Sequence, residues 1–288
     1  MKTHSNSVQH ITKKRLRELY GSYSPLSSEE YDPDDPRFRV PMQWMLKNED
    51  RFLRVLKVAE RLIPDGRCTI ADIGTYPGSL LRFISRWLGP DKVQLHGVGL
   101  MTSDEFKQQM LDDCGASIHT VNLDPRNDQL VDRNYPNDIP VESDSIDVSF
   151  VLEVMEHMVS PFHLFSEAYR ICKPGGHVIV TTPNVTRIGN IFKLIAGLSN
   201  FDRLIPIDYF NPDDEWRPHS REYTLKEVCQ YLSDAGFQIQ YQTQVIINDT
   251  RFGVKSFRQK LIDAAKTPFY MIRHFRGNLL AVARKPQV

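Results

Sequence analysis

The feature that most constrains the fold is a regular alternation of short apolar segments with stretches of helical periodicity. Short apolar runs bounded by turn residues predict buried strands, and apolar residues spaced three and four apart predict amphipathic helices. This alternation is typical of an α/β fold, a mostly parallel sheet with crossover helices on its faces. The predicted strands number seven and span residues 69–73, 93–98, 117–121, 147–151, 177–182, 238–246 and 278–283.

Two of the predicted helices carry signals at their ends. The helix over 160–171 begins with Ser160 as a predicted N-cap and ends at the K-P-G-G turn of residues 173–176. The other begins at Thr224, and Glu227 three residues later predicts a capping box. Both helices are therefore placed between predicted strands, as crossover connections require.

Three segments stand apart from this alternation. Residues 1–45 are polar and interrupted by prolines, and are expected to form an N-terminal extension that wraps the domain of residues 46–288. Residues 185–222, between the fifth strand and the capped helix, carry aromatic side chains among polar ones, which predicts a lid over a pocket. Residues 253–277 form a second insertion before the last strand.

Charge and composition exclude several classes of protein. The formal net charge is +0, which disfavours a general nucleic-acid binder. No run approaches the roughly 18 apolar residues of a membrane span, and the first twenty residues lack the apolar core of a secretory signal. The four cysteines lie far apart in apolar segments, which predicts buried, reduced thiols in a cytoplasmic protein. The acid-poor N-terminus leaves a transit peptide as the alternative.

The loop after the first predicted strand has the character of a ligand-binding loop. Gly74 and Gly78 permit close approach of the backbone, and the helix that follows offers free N–H groups to an anion. Asp72 can accept a hydrogen bond from an ammonium group. An amine and a carboxylate together describe the methionine part of S-adenosylmethionine. From these residues alone, a tight turn without a ligand remains the alternative, whereas a phosphate loop is excluded because no Gly-Lys-Ser/Thr follows.

A second and more specific signal runs from residue 147 to residue 184. It reads D-V-S-F-V-L-E-V-M-E-H-M from Asp147, C-K-P-G-G from Cys172 and T-T-P-N up to Asn184. In this order the segments resemble those of the class I S-adenosylmethionine-dependent methyltransferases, and the resemblance covers roughly residues 50 to 245. It implies a Rossmann-like sheet and S-adenosyl-L-methionine as cofactor.

The resemblance also implies which residues bind the cofactor. Asp72, Gly74 and Gly78 match the D-x-G-x-G-x-G loop of the family, but Tyr76 replaces its middle glycine. Because Tyr76 carries a Cβ, its backbone is expected to stay outside the left-handed region, with its ring in the pocket wall. Gly99 stands where the family usually has an acidic residue that binds the ribose hydroxyls. The ribose is then held either by backbone and water or by another residue.

Three further positions follow from the same comparison. Leu100 comes directly after Gly99, and Leu152 lies at the end of the fourth predicted strand. Asp124 follows the third strand, where the family carries an acidic residue that can contact the adenine amine. These three complete the predicted cofactor-binding set.

A cluster of carboxylates and imidazoles is predicted at the same edge of the sheet. Glu153, Glu156 and His157 come just beyond the fourth strand, and His219 precedes the capped helix. Such side chains can bind Mg²⁺, Mn²⁺, Fe²⁺ or Zn²⁺. The E-x-x-E-H pattern is similar to the metal motif of the ubiquinone-biosynthesis O-methyltransferases and the small-RNA 2′-O-methyltransferases, which implies that all four residues bind a divalent metal. Glu156 and His157 are the implied catalytic residues, with His157 as general base.

Structural roles remain open for the same cluster. Glu156 could cap backbone N–H groups, His157 could be an ordinary hydrogen-bonded histidine, and His219 could brace the lid. A general-base role for His157 without a metal lies between the two interpretations.

The expected function is therefore methyl transfer to a hydroxyl of a small molecule, a glycan or a lipid-linked sugar, with divalent-metal assistance. An RNA acceptor is disfavoured by the neutral charge. A non-catalytic binding or scaffold protein of the same fold is the alternative, because Tyr76 and Gly99 depart from the family at cofactor contacts. A Rossmann-type dehydrogenase is excluded because no G-x-G-x-x-G follows the first strand.

The insertion before the last strand is basic and amphipathic. Between residues 255 and 276 there are six Lys or Arg residues and one acid, Asp263, with apolar residues interleaved. Such a segment can contact an anionic membrane surface or a polyanionic substrate. The alternative is a solvated face packed on the sheet.

Overall fold

A seven-stranded sheet forms the centre of the molecule. The computed structural model describes residues 10–21, 49–100, 102–126, 135–200, 219–246 and 264–287. The strands are β1 Cys68–Ile73, β2 Val93–Gly99, β3 Ala116–Thr120, β4 Ile146–Leu152, β5 Cys172–Pro183, β6 Gln238–Val245 and β7 Asn278–Arg284. Their order is β3-β2-β1-β4-β5-β7-β6, with β7 antiparallel to both of its neighbours and the other pairs parallel. The predicted Rossmann-like, mostly parallel sheet is confirmed.

The predicted strands all exist, but the start of β5 was predicted wrongly. The sequence suggested a turn over residues 173–176, whereas β5 already begins at Cys172. The pairing with β4 is irregular there. Gly175 donates its N–H to the carbonyl of Lys285, and the carbonyl of Gly176 accepts the N–H of Lys285. These two bonds to the chain after β7 hold the glycine pair within the irregular start of β5, where Gly175 has a positive φ of +84°.

Helices cover both faces of the sheet. The helices are α1 Lys13–Gly21, α2 Glu49–Ala59, α3 Ser79–Leu88, α4 Asp104–Cys114, α5 Phe162–Ile171, α6 Ile188–Ile195 and α7 Leu225–Asp234. The capping box of α7 is present, since Thr224 and Glu227 each accept from the other's backbone N–H. The predicted Ser160 cap is wrong, because the N-cap of α5 is Pro161. The N–H of Ser160 instead donates to Asp124, which holds this residue outside the helix.

Two apolar clusters, one on each face, hold the helices to the sheet. On one face α1 to α4 pack together, and α1 buries Leu16 and Leu19 there, as does the preceding segment with Ile11. On the other face α5 and α7 bury Phe165 and Leu232. Each fully buried side chain of this kind contributes about 1.5–3 kcal/mol. The described part of the N-terminal extension is thus a docked helix.

The two insertions are described only in part. The segment predicted to form a lid contains α6, but its residues 201–218, with the predicted lid aromatics, lie outside the described residues. The basic insertion is described from residue 264 and contains two 3₁₀ turns, Thr267–Met271 and Arg273–Phe275. Within the described ranges, no helix has both the length and the apolar character needed to span a bilayer.

The cysteine prediction holds for three of the four thiols. Cys68, Cys114 and Cys172 are buried and free. Cys229 is also free but only half-buried, and its Sγ lies 2.8 Å from Oε1 of Gln242. Cys229 is less buried than predicted because it faces β6, the edge strand of the sheet, and one side of α7 is therefore left open.

Candidate active site

The strand register brings the predicted cofactor residues to one edge of the sheet. At the carboxyl end of β1, Ile73 lies beside Val98 of β2 and Val151 of β4. The next residues along those strands are Gly99 and Leu152, and Leu100 follows Gly99. In an open parallel sheet this edge is where ligands bind.

The loop after β1 requires glycine at two positions. Gly74 has φ +90°, and a Cβ there would lie 2.3 Å from Cγ2 of Val154. Gly78 has φ +79°, and a Cβ there would lie 2.3 Å from Sδ of Met110. Both backbone conformations are costly for a residue with a side chain. The loop is thus closely packed against the turn after β4 and against α4.

The Tyr76 side chain rests on α4. Its ring centroid lies 5.5 Å from that of Phe106, and the ring is half-buried against the core. Among the described non-glycine residues only Asp144 and Glu153 have positive φ, so the expected ordinary backbone at Tyr76 is confirmed. Its peptide bond to Pro77 is cis. A role of the ring in the pocket wall stays a prediction.

A buried arginine fastens the same loop. Arg82 of α3 is 1% exposed, and its Nη1 donates to the carbonyl of Pro77 at 2.9 Å. Its Nε donates to Asp113 at 2.7 Å. This ion pair joins α3 and α4 directly behind the loop, which fixes the loop's position relative to the helix that follows it.

Asp72 is buried at the end of β1. Burial raises the pKa of its carboxyl to about 7. The Thr75 hydroxyl lowers it in part, although Thr75 Oγ1 forms no well-aligned hydrogen bond among the described residues. A buried acid that ionises near neutral pH at the mouth of a loop is suited to a cationic ligand group.

Replacing Asp72 with Asn is expected to change how stability depends on pH. The folded-state pKa of about 7 exceeds the ordinary value of 3.8. The contribution of the neutral carboxyl to the free energy of unfolding is therefore fully present below about pH 4 and is lost as pH rises through 7. The Asn variant should match the wild type near pH 4 and exceed it at pH 8 by on the order of 2–4 kcal/mol. Urea unfolding of the ligand-free protein at both pH values measures this.

The exposed Asp112 of α4 provides the matched control, since its replacement by Asn should leave the pH profile unchanged. Parallel pH profiles for wild type and Asp72→Asn would contradict the assignment of the raised pKa to this carboxyl.

At the end of the site predicted to bind the ribose and adenine, Asp124 is occupied by backbone hydrogen bonds. Both carboxylate oxygens of Asp124 accept backbone hydrogen bonds, from Val159 at 2.8 Å and from Ser160 at 3.0 Å. Asp124 therefore ties the loop after β3 to the start of α5, and its adenine contact stays a prediction. Asp104 is 96% exposed and bound to Lys107, so it does not replace the acid missing at Gly99.

The structure brings three of the four predicted metal ligands together. One donor atom each from Glu156, His157 and His219 lie within 4.8 Å of one another. The ring centroids of His157 and His219 are 4.8 Å apart in an edge-to-face arrangement. Glu156 and His157 belong to the 3₁₀ turn Met155–His157, and the carbonyl of Glu156 accepts the N–H of Ser220. This bond holds the His219 segment against the turn.

Glu153 lies outside this cluster. Its φ of +58° ends β4 before the 3₁₀ turn begins, so it does not share a helical face with Glu156. Its carboxylate instead forms an ion pair with Arg51 of α2 at 3.1 Å and accepts from Nδ2 of Asn278 at 3.3 Å. The prediction that all four residues converge is therefore wrong for Glu153, whose carboxylate binds Arg51 and Asn278 instead.

Glu156 is the most unusual side chain of the site. It is 0% exposed; Oε2 accepts from the Thr182 hydroxyl at 2.9 Å, while Oε1 has no hydrogen-bond partner among the described residues. Burial, and secondly the charge of Glu153, raise its pKa well above the ordinary range, and Thr182 offsets this only in part. A buried carboxyl with one open oxygen calls for a proton or a cation.

A second carboxylate orients His219. Its Nδ1 lies 3.6 Å from Oε1 of Glu222. Arg187 pairs with the same oxygen at 2.6 Å, and Asn190 donates to Oε2 at 2.8 Å. Burial alone would raise the pKa of Glu222, but His219, Arg187 and Asn190 together lower it. An imidazole backed by a fixed carboxylate is the usual arrangement of a metal-binding histidine.

Sequence reasoning missed the residues that hold the predicted ligands Glu153, Glu156 and His219 in place. They are Arg51, Thr182, Arg187, Glu222 and Asn278. Only Thr182 carried a signal, because it lies in the T-T-P-N segment at the end of β5. Arg51, Arg187 and Asn278 act across long separations in the chain, whereas Glu222 lies only three residues after His219 and was overlooked.

Comparison with known proteins identifies the family. The family model for a methyltransferase domain matches residues 46–242, more than half of the chain. A probable S-adenosylmethionine-dependent methyltransferase of Mycolicibacterium smegmatis is 27% identical over 103 residues, which cover 36% of this chain and 33% of that protein. The malonyl-acyl-carrier-protein O-methyltransferase of a Marinomonas species is 36% identical over 62 residues, covering 22% and 23%. The chain thus spans a third or less of the length of these curated relatives.

Among solved structures, a similar fold is found in a chain of the complex between the Haloferax volcanii Trm112 methyltransferase activator and its methyltransferase partner. The TM-score is 0.52 at 20% identity, over 83% of this chain and 92% of that one. At this identity the likeness concerns the fold alone.

Proposed function

Since this chain belongs to the class I S-adenosylmethionine-dependent methyltransferases, we propose that it methylates a hydroxyl oxygen with the help of a divalent metal. The observation that carries the proposal is the cluster of the buried Glu156 with the half-buried His157 and His219, in which Oε1 of Glu156 lacks a partner among the described residues. The acceptor we propose is a hydroxylated small molecule, a glycan or a lipid-linked sugar.

The loop after β1 fits the cofactor's methionine part. Gly74 and Gly78 keep the backbone free of Cβ atoms where it turns toward α3. Asp72 presents a buried carboxyl that a cationic amine would hold in its ionised form, since an opposite charge favours ionisation. When bound, S-adenosylmethionine supplies a methyl group on a positively charged sulfur.

The cluster at Glu156 fits a divalent ion. One carboxylate oxygen and two imidazole nitrogens form a donor set that suits Mn²⁺, Fe²⁺ or Zn²⁺, and Mg²⁺ if oxygen ligands from the acceptor complete it. Glu222 supports His219 from behind, and Thr182 fixes the second oxygen of Glu156. When bound, such an ion lowers the pKa of a coordinated hydroxyl and orients its oxygen.

His157 is the proposed general base. Its ring lies against that of His219 at the end of the 3₁₀ turn, half-buried at the carboxyl edge of the sheet. A metal-bound neutral imidazole has no lone pair left for a proton, so His157 acts as base where Glu156, His219 and oxygens of the acceptor hold the ion. As the new C–O bond forms and the C–S bond breaks, it would then accept the proton that the acceptor hydroxyl loses. Imidazole is suited to this role because its pKa lies near neutrality.

The preference for oxygen rests on the donor set and on one likeness. A nitrogen acceptor with a free lone pair gains little from a Lewis acid, whereas a hydroxyl must be deprotonated. The short likeness to an O-methyltransferase adds to this. Vicinal hydroxyls of a sugar or catechol suit two open positions on one ion.

The test is a transfer assay with methyl-labelled S-adenosylmethionine and a panel of sugars, catechols and amines. We expect labelled product from a vicinal diol, and we expect EDTA to lower the rate at least about thirtyfold, with recovery on adding Mg²⁺ or Mn²⁺. Replacing His219 with Ala should weaken Mn²⁺ binding in calorimetry, whereas replacing the exposed His10, which lies on the N-terminal segment, should not.

Transfer to amines alone, or a rate indifferent to EDTA, would contradict the proposal. Unchanged Mn²⁺ affinity in the His219→Ala variant would contradict the metal assignment by itself.

A further inference from the structure

We propose that α6 and the segment of residues 264–276 form a docking surface for an anionic phospholipid membrane. The inference stands apart from the proposed reaction, because it concerns side chains outside the cluster of Glu156, His157 and His219. It would place a lipid-linked acceptor beside the site, and its test needs no methyl transfer.

The first observation is a set of large apolar side chains that face solvent. Ile195 is 78% exposed and Met271 83% exposed. The exposed members of this surface are Phe192, Leu194, Ile195, Leu198, Met271 and Ile272. Scattered single apolar residues are normal on a protein surface, but a group of them on two adjoining elements marks an interaction site.

The second observation is that the two elements touch. The ring of Phe192 in α6 meets that of Phe269 in the Thr267–Met271 turn, with centroids 5.4 Å apart and nearly perpendicular planes. Phe269 also meets Phe275 at 6.3 Å. These aromatic contacts join the two elements into one surface, which we call the α6 surface.

The third observation is the charge of the α6 surface. Residues 185–200 and 264–277 contain no Asp or Glu. They contain five basic residues and one histidine, which are Arg187, Lys193, Lys266, Arg273, Arg276 and His274. Arg187 is bound to Glu222, but Lys193 and Arg273 are exposed. Apolar side chains fringed by cations are the composition of an interfacial membrane contact, where each Lys or Arg strengthens binding to anionic lipid.

A groove beside the α6 surface fits a lipid headgroup. It encloses about 830 Å³ and runs between α6, α7 and the Arg273–Phe275 turn. Among its described lining residues are Lys226, Arg273 and His274, and none of those described is acidic. Amide side chains such as Gln242 and Gln244 complete the lining. A phosphate ester with neighbouring hydroxyls or carboxylates matches this set of donors.

The α6 surface also adjoins the candidate active site. Arg187, which precedes α6, pairs with Glu222, and Glu222 supports His219. A molecule docked through α6 would therefore bring its site close to the bilayer surface. Among the acceptors proposed above, a lipid-linked sugar gains most from this arrangement.

The test is flotation of the full-length chain with vesicles of phosphatidylcholine alone and of phosphatidylcholine mixed with phosphatidylserine. We expect binding only to the anionic vesicles, with a loss of at least about tenfold between low and high salt. Ile195→Ser and Met271→Ser should each weaken binding about fivefold, since both side chains are exposed and their removal leaves the fold intact. Lys193→Glu combined with Arg273→Glu should weaken it at least about tenfold.

Leu111→Ser is the control, because Leu111 is also an exposed apolar residue, at 50%, but lies on α4, which packs beside β3 at the far end of the sheet. The control should float like the wild type. No flotation of the folded protein at low salt would overturn the proposal, as would equal binding to both kinds of vesicle. It would also be overturned if the Ile195 and Met271 variants changed the oligomeric state and left vesicle binding unaltered, since the surface would then be a protein interface.

Discussion

Replacing Glu156 with Gln is expected to lower turnover at least about a hundredfold while the affinity for S-adenosylmethionine stays nearly unchanged. Gln has the same shape and keeps an oxygen for Thr182, but it carries no negative charge for a cation or for the imidazoles of His157 and His219. Removing a group that acts in acid–base or metal-assisted chemistry usually costs a factor of about 10²–10⁴. Single-turnover rates and calorimetry with the cofactor measure the two effects separately.

The same replacement is expected to stabilise the metal-free protein. Burial raises the pKa of Glu156. The contribution of its neutral carboxyl to the free energy of unfolding is therefore lost as pH rises through that raised value. At pH 8 the neutral Gln variant should therefore unfold less readily, by about 1–3 kcal/mol, because a buried carboxyl with a raised pKa destabilises the folded state at pH values above its ordinary pKa. Loss of activity together with a gain in stability is the signature of a functional carboxylate rather than a structural one.

Glu167 provides the matched comparison. Burial alone would raise its pKa, but the hydrogen bonds that it accepts from Arg170 and from the N–H of Ile139 lower that pKa below the ordinary value. Glu167→Gln should therefore reduce stability at pH 8 and leave the rate constant of methyl transfer unchanged. Full turnover in Glu156→Gln, or equal losses in both variants, would contradict the role given to Glu156.

Replacing Gly74 with Ala is expected to weaken cofactor binding at least about thirtyfold. The added Cβ would lie 2.3 Å from Cγ2 of Val154, and Val154 directly precedes the 3₁₀ turn that carries Glu156 and His157. A β-branched side chain has little rotamer freedom to retreat, so the loop or the turn must move. The positive φ adds about 1–2 kcal/mol. Calorimetric titration with S-adenosylmethionine measures the affinity, and chemical unfolding measures the stability.

Gly66→Ala separates backbone strain from steric overlap. Gly66 has φ +104°, yet a Cβ added there would have no atom within 4 Å, and Gly66 precedes β1 at the opposite edge of the sheet. This variant should lose stability from its backbone conformation alone and bind the cofactor like the wild type. Wild-type affinity in Gly74→Ala would mean that the loop after β1 does not hold the cofactor.

The parts of the fold that the sequence predicted are those with local causes. The capping box at Thr224 and Glu227 depends on residues three positions apart, and the two loop glycines depend on their own backbone angles. The strands of the central sheet are buried and therefore read as apolar runs. The motifs from β4 to β5 are also local runs of sequence, and their order therefore identified the family before any contact was known.

The parts that the sequence did not predict depend on contacts between distant segments. Glu153 was grouped with Glu156 because of its spacing, yet its partners Arg51 and Asn278 come from opposite ends of the domain. Ser160 has the chemistry of an N-cap, but the hydrogen bond from its N–H to Asp124 holds it ahead of the helix, and Pro161 takes the N-cap position. Long-range partners of this kind leave no periodic trace in one sequence. The cofactor and metal assignments themselves remain predictions that the variants above test.

The most direct test of the account is calorimetric titration of the wild-type chain with S-adenosylmethionine, first without and then with Mg²⁺. The family and the loop geometry predict one site with a dissociation constant on the order of micromolar, despite Tyr76 and Gly99. No heat of binding from protein shown to be folded, under either condition, would contradict the account and favour a non-catalytic protein of the same fold.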